Sequence, residues 1–137
     1  MFKEVKTSTI GYILFGLGLI YVIFSVLIGG EKALKIEPDL RSQFSMITPF
    51  SGTEQYDSDY IVKEGLVDLD WFYRSSVPFD EVYKHYNDEL EKNGWKFHMK
   101  QKNRDGTVSY YFRQGDYFAN ITFLDNYHFQ FNLRWAM

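Results

Sequence analysis

The stretch YFANITFLDNYHFQFNLRW, residues 117–135, decides the fold. Tyr117, Ala119, Ile121 and Phe123 alternate with Phe118, Asn120, Thr122 and Leu124. After Asp125-Asn126, Tyr127, Phe129, Phe131, Leu133 and Trp135 alternate with His128, Gln130, Asn132 and Arg134. A period of two over this length is the mark of a strand with one buried face. The short polar turn between the two runs forces them to pair antiparallel.

Working back toward the N-terminus, the same pattern recurs. Val108, Tyr110 and Phe112 alternate with Ser109, Tyr111 and Arg113, and Gln114-Gly115 turns the chain. Trp95, Phe97 and Met99 alternate with Lys96, His98 and Lys100, closed by Arg104-Asp105-Gly106. Before them, Pro78 opens a helix. Its missing N–H has no partner in the first turn, and Asp80 and Glu81 sit near the positive end of the dipole. Phe79, Val82, Tyr83, Tyr86 and Leu90 recur at three- and four-residue spacing, and Asn93-Gly94 ends the helix. Val67, Leu69, Trp71 and Tyr73 predict a further strand, with Tyr60–Val62 as a short strand ahead of it. The fold class is α+β. A small antiparallel sheet, β-α-β-β-β-β, carries one helix on one face, since no other element is available to cover it.

The segment 29–55 reads as a connector. Pro38, Pro49 and Gly52 interrupt it, and residues 39–47 form a short helix with Leu40, Phe44 and Ile47 on one side. Upstream lies IGYILFGLGLIYVIFSVLI, residues 10–28, without a charge and flanked by lysines. As a helix it is about 28 Å long, close to the hydrocarbon thickness of a bilayer. A cleaved signal peptide has a shorter apolar core. Gly29 and Gly30 leave cleavage open, while the bulky residues 26–28 favour an uncleaved anchor. The expected organisation is a cytoplasmic tail (1–9), a transmembrane helix (10–28), the connector (29–55) and an extracytoplasmic domain (56–137). The short tail favours an N-terminus left inside the cell membrane, although the flanking lysines bias the orientation only slightly. Gly11, Gly18 and Ser25 repeat every seven residues, and Gly29 follows Ser25 by four. Small residues so placed let a second helix approach closely in lipid; glycine is also simply common in membrane helices.

Composition narrows the function. The net charge of −3 argues against a nucleic-acid-binding domain. No cysteine is present, so neither a disulfide nor a lipobox exists. No phosphate loop, nucleophile–base pair or zinc spacing is found, so no cofactor or metal is expected and the chain reads as no enzyme. His98 and His128 share the polar parity of Asp68 and Asp70, a weak basis for a metal site. Lys96, Lys100, Lys102 and Arg104 suit an anionic headgroup or an acidic partner, or simply a charged hairpin protected from edge pairing. Asn120-Ile121-Thr122 fits a glycosylation sequon but lies inside a strand. Phe72, Tyr111 and Phe118 lie off the core parity. Either they form an exposed aromatic patch that binds a partner, or the connector, with Phe44 and Phe50, folds back over them.

The spacing Pro78-x3-Val82-x3-Tyr86-x3-Leu90-x3-Gly94-Trp95 resembles that of small, uncharacterised bacterial extracytoplasmic domains, many of them lipoproteins or membrane-anchored. Pro49-Phe50-Ser51-Gly52 is similar to a turn often found upstream in them. The resemblance covers about residues 47–135 and implies a helix followed by a β-meander, outside the cytoplasm, with no activity attached. The function expected is a non-catalytic, single-pass membrane-anchored interaction module, an accessory subunit bound to another membrane protein or to copies of itself. The alternative is a membrane-tethered domain that binds a small molecule or an envelope polymer.

Overall fold

The computed structural model describes residues 7–137, without the side chains of residues 7–10, 25, 26 and 29. Residues 1–6 of the expected tail lie outside the described residues. The elements run α1 (Thr7–Ser45), β1 (Thr53–Lys63), β2 (Leu66–Ser75), α2 (Phe79–Lys92), β3 (Lys96–Lys102), β4 (Val108–Gln114), β5 (Tyr117–Phe123) and β6 (His128–Ala136). The strands form one six-stranded sheet in the order β1-β2-β6-β5-β4-β3, antiparallel throughout.

In β2, β4, β5 and β6 the alternating residues sort as the sequence predicts. Leu69, Leu133 and Ala119 stand in one row across β2, β6 and β5, and Trp71, Phe131 and Ile121 in the next. All six are buried. The helix α2 lies on this face with Val82, Tyr86 and Leu90 inward, and Tyr86 meets the rings of Phe129 and Phe131. Gly94 ends it at φ 87°, and a Cβ there would stand 2.9 Å from Gln114 Nε2. Trp95 follows, fully buried.

Two expectations about the chain before β2 are corrected. The segment 29–55 is no connector. The helix α1 is continuous through Pro38 to Ser45, and β1 spans Thr53–Lys63 where only a short strand at 60–62 was expected. An internal proline removes one helical hydrogen bond and costs about 3 kcal/mol. Tertiary packing offsets it. Ala33, Leu40 and Ile47 are buried, and the Phe44 ring stacks on Trp71 at 3.7 Å. The sheet therefore has two covering helical segments, not one. The loop that follows α1 is tied to α2 through Thr48, whose N–H donates to Glu89 Oε2 (3.1 Å) and whose carbonyl meets His85 Nε2 (2.6 Å).

The first half of α1 has a different surface. From Tyr12 to Phe24 its large apolar side chains are exposed. Among the described residues, no helix is long and apolar enough to cross a membrane. A span over 10–28 therefore remains a reading of the sequence.

Candidate functional site: the open face of the sheet

Pairing register places every residue of the uncovered face. Asp59, Asp70, Asn132, Asn120, Tyr111 and Met99 form one row from β1 to β3. Asp57, Phe72, Gln130, Thr122, Ser109 and Gln101 form the next. Ile61, Asp68, Arg134, Phe118, Arg113 and Lys96 form a third.

A hydrogen-bonded polar network occupies the middle. Asn132, nearly buried, donates through Nδ2 to Asp68 Oδ1 (2.5 Å), Asp70 Oδ1 (2.8 Å) and the Leu69 carbonyl (3.2 Å). Two N–H bonds serve three acceptors, so one is shared. Gln130 Nε2 donates to the same Asp70 oxygen at 2.6 Å. On the other side, Thr122 Oγ1 donates to Asn120 Oδ1, Ser109 Oγ meets Thr122 Oγ1, and Asn103 Nδ2 donates to Ser109 Oγ, all within 3.0 Å. Burial pushes the Asp70 carboxyl up from its usual value. The Asn132 and Gln130 amides pull it down, and the charges of Asp68 and Asp59 add to the rise.

Phe72, Tyr111 and Phe118, for which a patch is one of two readings, share this face but do not meet. Phe72 on β2 is separated from the other two by β6, which contributes Gln130, Asn132 and Arg134 to the gap. Tyr56, displaced at the bulge between Gln55 and Asp57, joins Phe72 at 6.3 Å and lies under the Arg74 guanidinium at 4.8 Å. Arg113 covers Phe118 at 5.3 Å. Tyr111 faces Met99, which a second bulge between Phe97 and Met99 has moved off the core parity expected of it. The segment carrying Phe44 and Phe50 does fold back, but onto the opposite, apolar face, so it does not cover these rings.

The remaining candidates separate as well. His98 lies on β3 and His128 on β6, with β4 and β5 between them, and His128 Nδ1 pairs with Asp125 at 2.9 Å. Among the described residues no three metal-ligating side chains gather. A Cβ at Gly11 or Gly18 would meet nothing within 4 Å among the described residues. Ser25 and Gly29 lie within α1, and their side-chain surroundings lie outside what is described.

Sequence reasoning missed the Asn132–Gln130–Asp70 network. The available signal was the type of residue on the polar parity of β4, β5 and β6. Short amides and hydroxyls stand at Ser109, Asn120, Thr122, Gln130 and Asn132, where a freely solvated face favours lysine and glutamate.

The arrangement defines a class: an α+β domain whose sheet is covered on one face and whose covering helix continues outward as an apolar rod. No family model, curated protein or solved structure matches the chain. The resemblance through Pro78, Val82, Tyr86, Leu90, Gly94 and Trp95 rests on those residues alone.

Proposed function

We propose that this protein is a non-catalytic, single-pass membrane-anchored interaction module, with residues 10–28 in the cell membrane, the N-terminus in the cytoplasm and the sheet domain outside. It acts as an accessory subunit that presents the open face of its sheet to a membrane or envelope partner. One observation carries this reading. A single helix, α1, is core in its second half and a rod of exposed apolar side chains in its first. Contiguous exposed apolar surface on this scale belongs against lipid or another protein. Because the helix is unbroken, the domain is held at a fixed orientation to whatever covers the rod.

The test is to wash native membranes with alkaline carbonate, then extract the intact protein in mild detergent. The protein is expected to resist the wash and to leave the detergent extract with a partner in fixed ratio. Release by the wash overturns the anchor, and extraction without a companion overturns the accessory role.

The polar network with Phe72, Tyr111 and Phe118 at its margins supports the alternative reading, a tethered domain for a small polar molecule or an envelope polymer. Asp68, Asp70 and the Gln130 carbonyl are acceptors for hydroxyl or ammonium donors. A ligand that raises the melting temperature of the intact protein would favour it.

A further inference from the structure

The sheet has two free edges. Strand β1 pairs only with β2, and β3 only with β4. All seven residues of β3 are exposed, as are nine of the eleven in β1. Unpaired N–H and C=O groups along such edges are templates for another strand.

The two edges carry opposite charge. Strand β1 holds Glu54, Asp57 and Asp59 against one cation, Lys63. Strand β3 holds Lys96, Lys100 and Lys102 with His98, and no acid. Pairing like edges of two copies would set acid against acid or lysine against lysine, which is how natural sheets resist such contacts. Pairing unlike edges meets no such barrier.

Strand number gives the second argument. With six strands alternating in direction, β1 and β3 run opposite ways. A second copy, shifted sideways without being turned over, sets its β1 antiparallel to this β3, so the alternation continues across the junction. An odd number of strands would have made that junction parallel.

Orientation gives the third. The helix α1 crosses the sheet obliquely from β6 toward β1, in a sense opposed to β6: Lys32 lies over Trp135 at 5.7 Å, Phe44 stacks on Trp71 of β2 at 3.7 Å, and Arg41 lies 6.0 Å from the Tyr60 ring of β1. The strands thus run broadly with the helix, and the edges face sideways. On the anchored reading proposed above, which this inference rests on, every copy stands the same way up in the membrane. The edges then meet at the same height.

We infer that β3 of one molecule adds to β1 of a second copy of this chain, joining their sheets side by side in the plane of the membrane. The contact is heterologous, so it closes a ring or extends a row. The registers set its alignment. Carried across the sheet, Lys100 is level with Ser58 through Tyr110, Ile121, Phe131 and Trp71, and Gln101 is level with Asp57. Asp57 and Asp59 then flank the position opposite Lys100. They project from the open face and Lys100 from the other, so the attraction acts between whole edges and is screened by salt.

The chain has no cysteine, which makes cross-linking decisive. Ser58→Cys and Lys100→Cys are both exposed edge positions, on one face and at one level. The full-length variants are co-expressed, the membranes are washed with carbonate, and both fractions are oxidised. A disulfide-linked dimer is expected from the mixture and from neither variant alone, with yield falling severalfold at high salt. Lys96→Glu with Lys102→Glu in the Lys100→Cys chain should abolish it, and Asp57→Lys with Asp59→Lys in the Ser58→Cys partner should restore it. No cross-link in the mixture, or equal self-linking of either variant, overturns the inference. Recovery of the protein in the wash overturns the anchor instead, and cross-linking in that soluble fraction still judges the edges.

Discussion

Along β6, Phe129, Phe131, Leu133 and Trp135 point to one side of the sheet and His128, Gln130, Asn132 and Arg134 to the other. The first set is sealed by two helices and filled with rings. The second is covered by no element among the described residues, yet Asn132 is buried almost as deeply as Trp71. One face excludes water by apolar packing. On the other, side chains that bond to one another withdraw Asn132 and Ser109 from solvent without making the face apolar. The lesson is that exposure of a face and exposure of its residues are different quantities. The faces should also fail differently.

The largest effect belongs to the covered face. Phe131 is fully buried and meets the rings of Phe44, Trp71 and Tyr86, so it joins α1, β2 and α2. Phe131→Ala should lower the stability of the full chain in detergent by about 3–5 kcal/mol, the range for a buried ring whose cavity does not refill. Thermal unfolding followed by tryptophan fluorescence measures it. A loss under about 1 kcal/mol would mean that the second half of α1 does not pack on the sheet as described.

The open face should respond less. Asn132→Ala removes both amide donors from Asp68 and Asp70 and leaves two half-buried carboxylates poorly paired. A loss of about 1–3 kcal/mol is expected, from the stranded acceptors and not from a cavity. A loss equal to that of Phe131→Ala would erase the distinction between the faces.

Legibility in the sequence followed the same division. The apolar parity of β2, β4, β5 and β6, the inward face of α2 and the stop at Gly94 all lie where strict periodicity placed them, because burial on one side leaves a regular trace. Met99 escaped, since a bulge shifts parity without altering composition. The helix over residues 39–45, with Leu40 and Phe44 turned inward, was legible; its continuity with the helix upstream escaped because Pro38 signals a break, while the contacts that override it come from Trp71 and Phe131, far along the chain. The arrangement of the three off-parity aromatics was illegible for a third reason. Parity gives the face of a residue but not strand order, and β6, between β2 and β5, holds Phe72 apart from Tyr111 and Phe118.

The finest test of the comparison is a titration. Burial raises the Asp70 carboxyl above its usual 3.8, with Asp68 and Asp59 adding to the rise and the two amides opposing it. In the interval above 3.8, the unfolded chain has released this proton while the folded chain still holds it. The fold then binds more protons, so this group's contribution to stability falls as pH rises through the interval. Asp70→Asn keeps an oxygen for the Gln130 and Asn132 amides and removes the titration. Glu89, Asp105 and Asp125 are all shifted down by hydrogen bonds and give the opposite slope, but they are common to both proteins and cancel in the difference. Subtracting the wild-type stability from that of Asp70→Asn should therefore give a curve that is flat below pH 3.8, climbs above it and levels off in favour of the variant. The change should be smaller than either loss above, because Asp70 is only half-buried. A curve that climbs the other way would mean that the two amides hold the carboxylate more strongly than burial opposes it. The open face would then be an anion-stabilising surface, and its acceptors would be less ready to take donors from a ligand.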